Sequence, residues 1–129
     1  YGVYYTHTAA TAGTTTDMNN YDDEATGSIC PKGWRLPAKG NSYDGDFSRL
    51  YEKYNSSDEM RNGAPKYVPS GYRDYSSASL DDTGSLGYWW SSTVNSSDYA
   101  CYLYLDSGYV DPRNVYYRSN GFTVRCVAR

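Results

Sequence analysis

The chain has 129 residues, of which 39% are hydrophobic, so it is long enough for one domain with a modest core. Aromatic residues reach 17%, including 17 tyrosines, and the formal net charge is only −3, which excludes the composition typical of intrinsic disorder. Nucleic-acid binding by phosphate neutralisation is excluded because acidic residues outnumber basic ones. No apolar run approaches the ~20 residues of a membrane span. We expect a single domain over residues 1–129, excised from a longer protein because it opens without Met or a signal peptide.

In chain order, the first ten residues predict an aromatic strand, because apolar and polar side chains alternate there. A loop rich in Thr, Gly and Asn follows. One amphipathic helix is predicted over 44–54, where apolar side chains recur at i, i+3, i+4 and i+7 from Phe47. We expect its N-cap near Asp44 or Asp46 and its end at Asn55.

The second half of the chain favours strands and loops. Short alternating segments bounded by Gly, Asp, Asn and Ser predict strands over 67–72, 87–93, 99–106, 109–110 and 122–128. Residues 108–120 are otherwise interpreted as a loop. Few helices, short strands and long ordered loops indicate an α+β fold.

No catalytic motif stands out. His7 lies in a Thr-rich segment without a nucleophile motif, and we interpret it as a surface residue at a strand edge. The adjacent acids at 22–24 and 81–82 are typical of solvated loops rather than of a paired-carboxylate site. The chain contains no spaced Asp run of the calcium-loop type. We therefore expect no enzyme activity, no cofactor and no metal.

The three cysteines, Cys30, Cys101 and Cys126, lack the spacing of a zinc site. Cys126 alternates with Phe122 and Val124 on one face of a predicted strand. The residues alone leave two alternatives, a disulfide with one thiol remaining, or three buried thiols in a reducing compartment.

The strongest signal lies between residues 95 and 120, where Tyr, Ser, Asp and Asn dominate. In the strand predicted there, Leu103 and Leu105 alternate with Tyr102 and Tyr104, so we expect the leucines in the core and the tyrosines in solvent. Rigid, amphipathic tyrosines mixed with Ser and Asn are typical of binding loops. The alternative is that Tyr simply favours strands, but the tyrosines continue into the predicted loop. The predicted ligand-binding residues are Asp98, Tyr99, Tyr102, Tyr104, Asp106, Tyr109, Asp111, Arg113, Asn114, Tyr116, Tyr117, Ser119 and Asn120.

We expect the exposed face to contribute little to folding stability, so that Ala at Tyr102 or Tyr104 would weaken binding and leave thermal stability nearly unchanged. The residues expected beneath this face are Leu103, Leu105, Val110, Phe122 and Val124. Core positions are also expected at Trp34, Leu36 and Trp89, whereas Trp90 is either core or the floor of the binding face. The genetic code adds a hypothesis, because replacing adenines in Asn codons yields Tyr, Ser, Asp, Cys and Arg. The segment could descend from an Asn-rich template altered at adenines.

Three ordered motifs carry a resemblance to a known family: ICPKGWRLP at 29–37, GYWWSST at 87–93 and GFTVRCV at 121–127. With the opening ten residues, which look like that family's first strand, they span the chain. The sequence resembles the Fibrobacter succinogenes major paralogous domain family, whose fold is C-type-lectin-like. It is also similar to variable proteins of diversity-generating retroelements, which use this fold with adenine-derived variation in the C-terminal segment.

This resemblance implies a bacterial extracellular module of a surface or pilus-like protein, with Cys30 bonded to Cys126 and Cys101 free. The calcium and sugar motifs of animal C-type lectins are replaced here by the sequence at 90–93. The cysteines also look structural rather than like the reactive pair of the formylglycine-generating relative. The resemblance therefore implies a non-enzymatic, adhesin-like domain that binds a protein or glycan ligand on another cell or surface. The alternatives are a carbohydrate-binding module and a structural spacer domain.

Overall fold

The computed structural model describes residues 2–20, 22–40 and 44–129. These residues form an α+β domain of three short helices and seven strands, and the strands pair in three small antiparallel sheets. The helices are α1 (His7–Ala10), α2 (Asp46–Tyr54) and α3 (Ser57–Asn62). The strands are β1 (Trp34–Arg35), β2 (Tyr72–Arg73), β3 (Leu80–Asp81), β4 (Gly87–Val94), β5 (Tyr99–Leu105), β6 (Val110–Tyr117) and β7 (Val127–Ala128).

The main sheet has the order β4-β5-β6, so the tyrosine-bearing strand β5 lies in the middle. Tyr102 faces Trp90 on one side and Asn114 on the other. The predictions for β4 and β5 are confirmed to within one residue at each end. The prediction of a loop over 108–120 is wrong, because Val110–Tyr117 pairs with β5 on both sides of a register shift between Tyr102 and Tyr104.

Both faces of this sheet are covered. On one face, Leu103, Leu105 and Trp89 pack against Phe47 of α2 and Met60 of α3. On the other face, Tyr102 and its neighbours pack around Phe122, which arrives from the chain's C-terminal part. The alternation at β5 correctly predicts the leucine side as core. It does not reveal that a second layer covers the tyrosine side.

Helix α2 matches the prediction except at its start. The N-cap is Gly45, and an added side chain there would collide with the backbone of Lys39. The carboxylate of Asp46 turns away from the helix, accepts from the amide of Ala38 at 2.7 Å and pairs with Arg35. The cap therefore lies where it was expected, between Asp44 and Asp46, but it is a glycine and not one of the two aspartates. The helix ends, as predicted, at Asn55, which adopts the left-handed conformation.

The N-terminal segment forms helix α1 rather than a strand. The side chain of Thr6 accepts from the amide of Ala9 at 3.2 Å and caps the helix, and within residues 2–10 only Tyr5 makes a bridge, to Phe122. His7 is completely buried against Trp90, with ring centroids 5.1 Å apart. The expectations of a strand and of a surface histidine are both wrong, because a helical turn forms here and places the side chains of His7 and Ala10 in the core.

A disulfide joins Cys30 to Cys126 next to the β1–β7 pair, with Cα atoms 5.9 Å apart, and Cys101 is a buried free thiol. Of the expected core residues, Trp34 is 47% exposed on this peripheral pair. Val124 is only half-buried.

The remaining expected core positions, Leu36, Trp89, Leu103, Leu105, Val110 and Phe122, are buried, and Trp90 is core. Of the strand predicted over 67–72, only Tyr72 lies in an observed strand, β2. Of the strand predicted over 122–128, only Val127 and Ala128 do, and they form β7. No helix in the described ranges is long and apolar enough to cross a membrane.

Candidate functional site

The predicted binding residues lie along the β5–β6 hairpin and its two ends. Its turn is built by Asp106, whose carboxylate accepts from the amides of Gly108 and Tyr109 at 2.9 and 2.7 Å. The other carboxylate oxygen of Asp106 accepts from the hydroxyl of Tyr104 at 3.0 Å. These bonds hold the Asp106 pKa below its usual value, the amide of Gly108 contributing most. Tyr109 is 57% exposed at the turn. Asp106 is thus a structural residue of the turn as well as a surface acid.

Three tyrosines at the opposite end of the hairpin form an exposed row that we call the tyrosine ladder: Tyr75, Tyr117 and Tyr99. Tyr117 of β6 stacks on Tyr99 of β5, with ring centroids 4.9 Å apart and an interplanar angle of 25°. Tyr75 adds its ring 5.1 Å from Tyr117. Tyr75 is 53% exposed and Tyr117 is 37% exposed. The close neighbour Tyr117 is the main cause of a raised Tyr99 pKa. The ladder is a contiguous aromatic surface of three contacting rings.

Four further tyrosines form a ring of side chains on the covered face of the sheet, which we call the tyrosine quartet: Tyr72, Tyr88, Tyr102 and Tyr116. Successive ring centroids are 4.9, 5.6, 6.4 and 6.1 Å apart around the ring. Each member also contacts Phe122, which stacks in turn on Trp90 at 4.1 Å. The quartet is a layer of the core whose hydroxyl ends approach the surface.

Carboxylates surround the hydroxyl ends of the quartet. The hydroxyl of Tyr88 donates to Asp82 at 3.2 Å. Burial is the first cause of a raised pKa for Tyr102, and Asp111 adds to it. Burial also raises the pKa of Tyr104 to about 12, with help from Asp106 and Asp82. The hydroxyls of Tyr88, Tyr102 and Tyr104 stay protonated at neutral pH, so they act as hydrogen-bonding groups in an acidic environment.

Two of the predicted binding residues are buried, so their expected exposure is wrong. Tyr102 is 3% exposed because Phe122 and the rest of the quartet cover it. Asn120 is completely buried, and its side-chain oxygen accepts from the amide of Tyr75 at 3.0 Å. Asn120 therefore positions the loop that carries the first ring of the ladder.

The other predicted residues are half-buried or exposed. Arg113 is half-buried with its Nε inside the fold. Asp111 and Asn114 accept, through their side chains, from the amides of Arg113 and Val115 at 2.9 and 2.8 Å. Exposed positions are Asp98, Tyr109, Tyr117 and Ser119, and half-buried ones are Tyr99, Tyr104, Asp106, Asp111, Arg113, Asn114 and Tyr116.

The sequence analysis missed four residues that the fold brings to this surface: Tyr72, Tyr75, Asp82 and Tyr88. They lie 22–38 positions before the first residue of β6, in and after the β2–β3 hairpin, which pairs with the segment after β6 through the bridge between Arg73 and Gly121. The isolated Tyr75 in a Ser-rich loop was the one local signal, because no core position explains a tyrosine there.

The hairpin is fastened to the N-terminal segment by Arg118. Its buried guanidinium donates to the carbonyls of Thr15 and Met18, at 2.5 and 3.1 Å, and to the carbonyls of Ser96 and Ser97. Burial lowers its pKa. The backbone that carries the exposed rings is therefore held in place by a buried arginine side chain.

Asp22 and Glu24, two of the acidic residues at 22–24, are engaged in structural contacts. Asp22 pairs with the buried Lys39, and Glu24 accepts from the hydroxyls of Ser92 and Thr93. They line a cavity of about 520 Å³ together with the Arg35–Asp46 pair. Across the part of the chain that the structure describes, no three His, Cys, Asp or Glu side chains are grouped to hold a metal ion.

The fold and this surface define a disulfide-bonded α+β domain with an exposed aromatic face. Residues 51–127, more than half of the chain, match the family described as Domain of unknown function (DUF8237). The chain therefore belongs to the DUF8237 family. The matched range includes all of the ladder, the quartet and the β5–β6 hairpin. No curated protein and no solved structure matches the chain.

Proposed function

We propose that this domain is a non-enzymatic extracellular recognition module that binds a protein on another cell or surface through the tyrosine ladder and the β5–β6 hairpin. The proposed scaffold is the C-type-lectin-like fold that the sequence resembles. The disulfide is compatible with an extracellular location.

The ladder is the observation that carries this proposal. Three contacting rings stand at the surface, although aromatic side chains of this size stabilise a fold most when they are buried. Tyr loses little conformational entropy on binding and offers both apolar and polar contact. The exposed Val115 and Asp98 extend the surface on either side of the ladder with apolar and charged groups. Such a patch has the composition of a binding hot spot.

The test uses proteins of a neighbouring cell's surface, cross-linked to the domain and identified by mass spectrometry. A double variant, Tyr99→Ala with Tyr117→Ala, should lose the captured partner, because each hot-spot tyrosine contributes ~1–3 kcal/mol to binding. The control, Val3→Ala with Val68→Ala, removes two exposed apolar side chains outside the ladder and should retain it. A partner captured equally by the ladder variant and the wild type would contradict the proposal.

A carbohydrate ligand is the second candidate, because stacked, exposed tyrosines also offer a platform for sugar rings. A glycan array, with and without chelator, distinguishes the two. Reproducible sugar binding that the ladder variant abolishes would favour the carbohydrate-binding module. If neither a protein nor a sugar binds, the spacer-domain alternative is favoured.

A further inference from the structure

We propose that the hydroxyl end of the tyrosine quartet is a subsite for a cationic side chain, Lys or Arg, of the protein partner. This inference rests on the proposed function and adds the chemistry of the partner residue.

The charges around the quartet are acidic. The carboxylates that act on its hydroxyls and on Tyr104 come from both hairpins, namely Asp74, Asp81, Asp82, Asp106 and Asp111. The nearest cations are engaged elsewhere. Arg61 acts on Asp106 at the hairpin turn, and Arg73 donates to the carbonyl of Ala78 at 2.6 Å. Among the described residues, neither Asp82 nor Asp111 forms an ion pair with Lys or Arg.

The sheet register places these groups in one row. Tyr88 of β4 faces Tyr104 of β5, and Tyr104 faces Asp111 of β6. Asp82 binds the hydroxyl of Tyr88 at the far end. Adjacent strands are ~4.8 Å apart, so the backbones of Tyr88 and Asp111 lie about 10 Å apart, with Tyr104 between them. A cation entering between Asp82 and Asp111 would meet acceptors on both sides.

Tyr102 supplies the second, independent observation. Its side chain is almost entirely buried, and its hydroxyl makes no hydrogen bond with any residue that the structure describes. The groups that act on that hydroxyl are Asp111 and the hydroxyls of Tyr72, Tyr104 and Tyr116. The hydroxyl oxygen is not among the buried polar atoms that lack a partner, so it lies at the surface end of the ring, where a ligand can reach it. An ammonium or guanidinium group would use it as an acceptor, and the aromatic rings would add cation–π attraction.

The test is an NMR titration of tyrosine ring signals with two capped peptides, Gly-Gly-Lys-Gly-Gly and the same peptide with norleucine in place of Lys. We expect the Lys peptide to shift the signals of Tyr72, Tyr102 and Tyr116, and the neutral peptide to leave them in place. The double variant D82N with D111N should weaken Lys-peptide binding at least fivefold, and it keeps both side-chain oxygens that accept internal hydrogen bonds. The control, D17N with E52Q, removes the same charge from remote exposed positions and should bind as the wild type does.

Equal shifts with the neutral peptide, or undiminished binding by the D82N/D111N variant, would overturn the cation subsite. Backbone amide spectra of each variant confirm that it is folded. The outcome is separable from that of the proposed function. If the ladder variant still loses its captured partner while the Lys peptide fails to bind, only the cation subsite is wrong. If the ladder variant keeps the partner and the Lys peptide binds, only the role of the ladder is wrong.

Discussion

Tyr102 and Tyr117 carry the same side chain in opposite environments. Tyr102 packs against the rings of Tyr88, Trp90, Tyr116 and Phe122 in the sheet's covered face, whereas Tyr117 is exposed in the ladder. We expect Tyr102→Ala to lower the free energy of unfolding by about 3–5 kcal/mol, the usual range for removing a buried aromatic ring. Tyr117→Ala should cost less than about 1 kcal/mol. Urea denaturation of both variants measures the difference.

Tyr102→Phe is the control, because it keeps the ring and removes only a hydroxyl without a hydrogen bond. It should stay within about 1 kcal/mol of the wild type. A Tyr102→Ala protein as stable as the Tyr117→Ala protein would show that the ring does not belong to the core. The earlier expectation that alanine at Tyr102 would spare stability is therefore replaced by its opposite.

His7 makes stability depend on pH. Its Nε2 lies 2.9 Å from the carbonyl of Ser91, and burial lowers its pKa from 6.5 to about 4. Because the unfolded chain binds the proton more tightly, stability is greatest above pH 6.5 and falls as the pH drops towards 4. The loss over this window is about 3 kcal/mol. Urea denaturation at pH 7, 5.5 and 4 measures it.

The chain has a single histidine, so its ring signals in NMR report this titration directly. A native-state titration midpoint near 6.5 would refute the burial-driven shift. Protonation of Asp46 and Asp74 also lowers stability as the pH falls. It does so at lower pH than the protonation of His7, because the pKa values of both carboxyls are held below their usual range.

At the scale of the elements, the alternation of β4 and β5 was readable because each strand satisfies its own local pattern. Strand β6 was not readable, because Asp111, Pro112 and Asn114 are poor strand formers. Those residues suit an edge strand, where Pro needs no ladder partner. The side chains of Asp111 and Asn114 accept amides of their own strand. The amides of Arg113 and Val115 are therefore already bonded and do not pair with a strand of another chain.

Helix α1 shows a second limit of local patterns. The alternation at the N-terminus matches a strand, but Thr6 caps a helical turn and His7 finds its partner at Ser91, 84 positions away. A hydrophobic pattern analysed over ten residues cannot reveal a contact between residues 84 positions apart. The same reason explains why the cover over the tyrosine side of β5 was missed, since Phe122 and Tyr72 come from distant segments.

At the scale of the whole molecule, the disulfide spans 96 positions and closes most of the chain into one loop. We expect its reduction to lower the free energy of unfolding by about 4–5 kcal/mol, on the chain-entropy estimate. Cys101 should resist alkylation in the native state, because burial raises its pKa to about 12. Intact-mass spectrometry after alkylation should show no label in the native protein and one label after unfolding without reductant.

Mapping of the labelled peptide to Cys101 completes this test. Two or three labels in the unreduced protein would contradict the Cys30–Cys126 bond. Urea denaturation in the presence and absence of reductant measures the stabilisation itself. The pairing could be anticipated from the resemblance, whereas the residues alone left three free thiols possible.

The candidate site was predictable to the extent that it lies on one continuous segment. Tyr99, Tyr109 and Tyr117 were correctly expected at the surface or its margin. Tyr75 and Asp82 were missed, because the β2–β3 hairpin and its flanks pack beside the sheet through long-range contacts, such as the Arg73–Gly121 bridge and the Tyr75–Tyr117 ring contact. The composition of residues 95–120 identified the part of the surface on the β5–β6 hairpin. The part contributed by the β2–β3 hairpin became apparent only from the fold.

Arg118 binds its four partners largely through their main-chain carbonyls, which every amino acid possesses. The β5–β6 pairing likewise uses backbone groups. These backbone contacts, which hold the segments that carry the ladder, therefore do not depend on which side chains occupy positions 75, 99, 115 and 117. A display library randomised at those four positions would retain the scaffold and yield binders for new targets, which makes the domain a candidate for directed evolution.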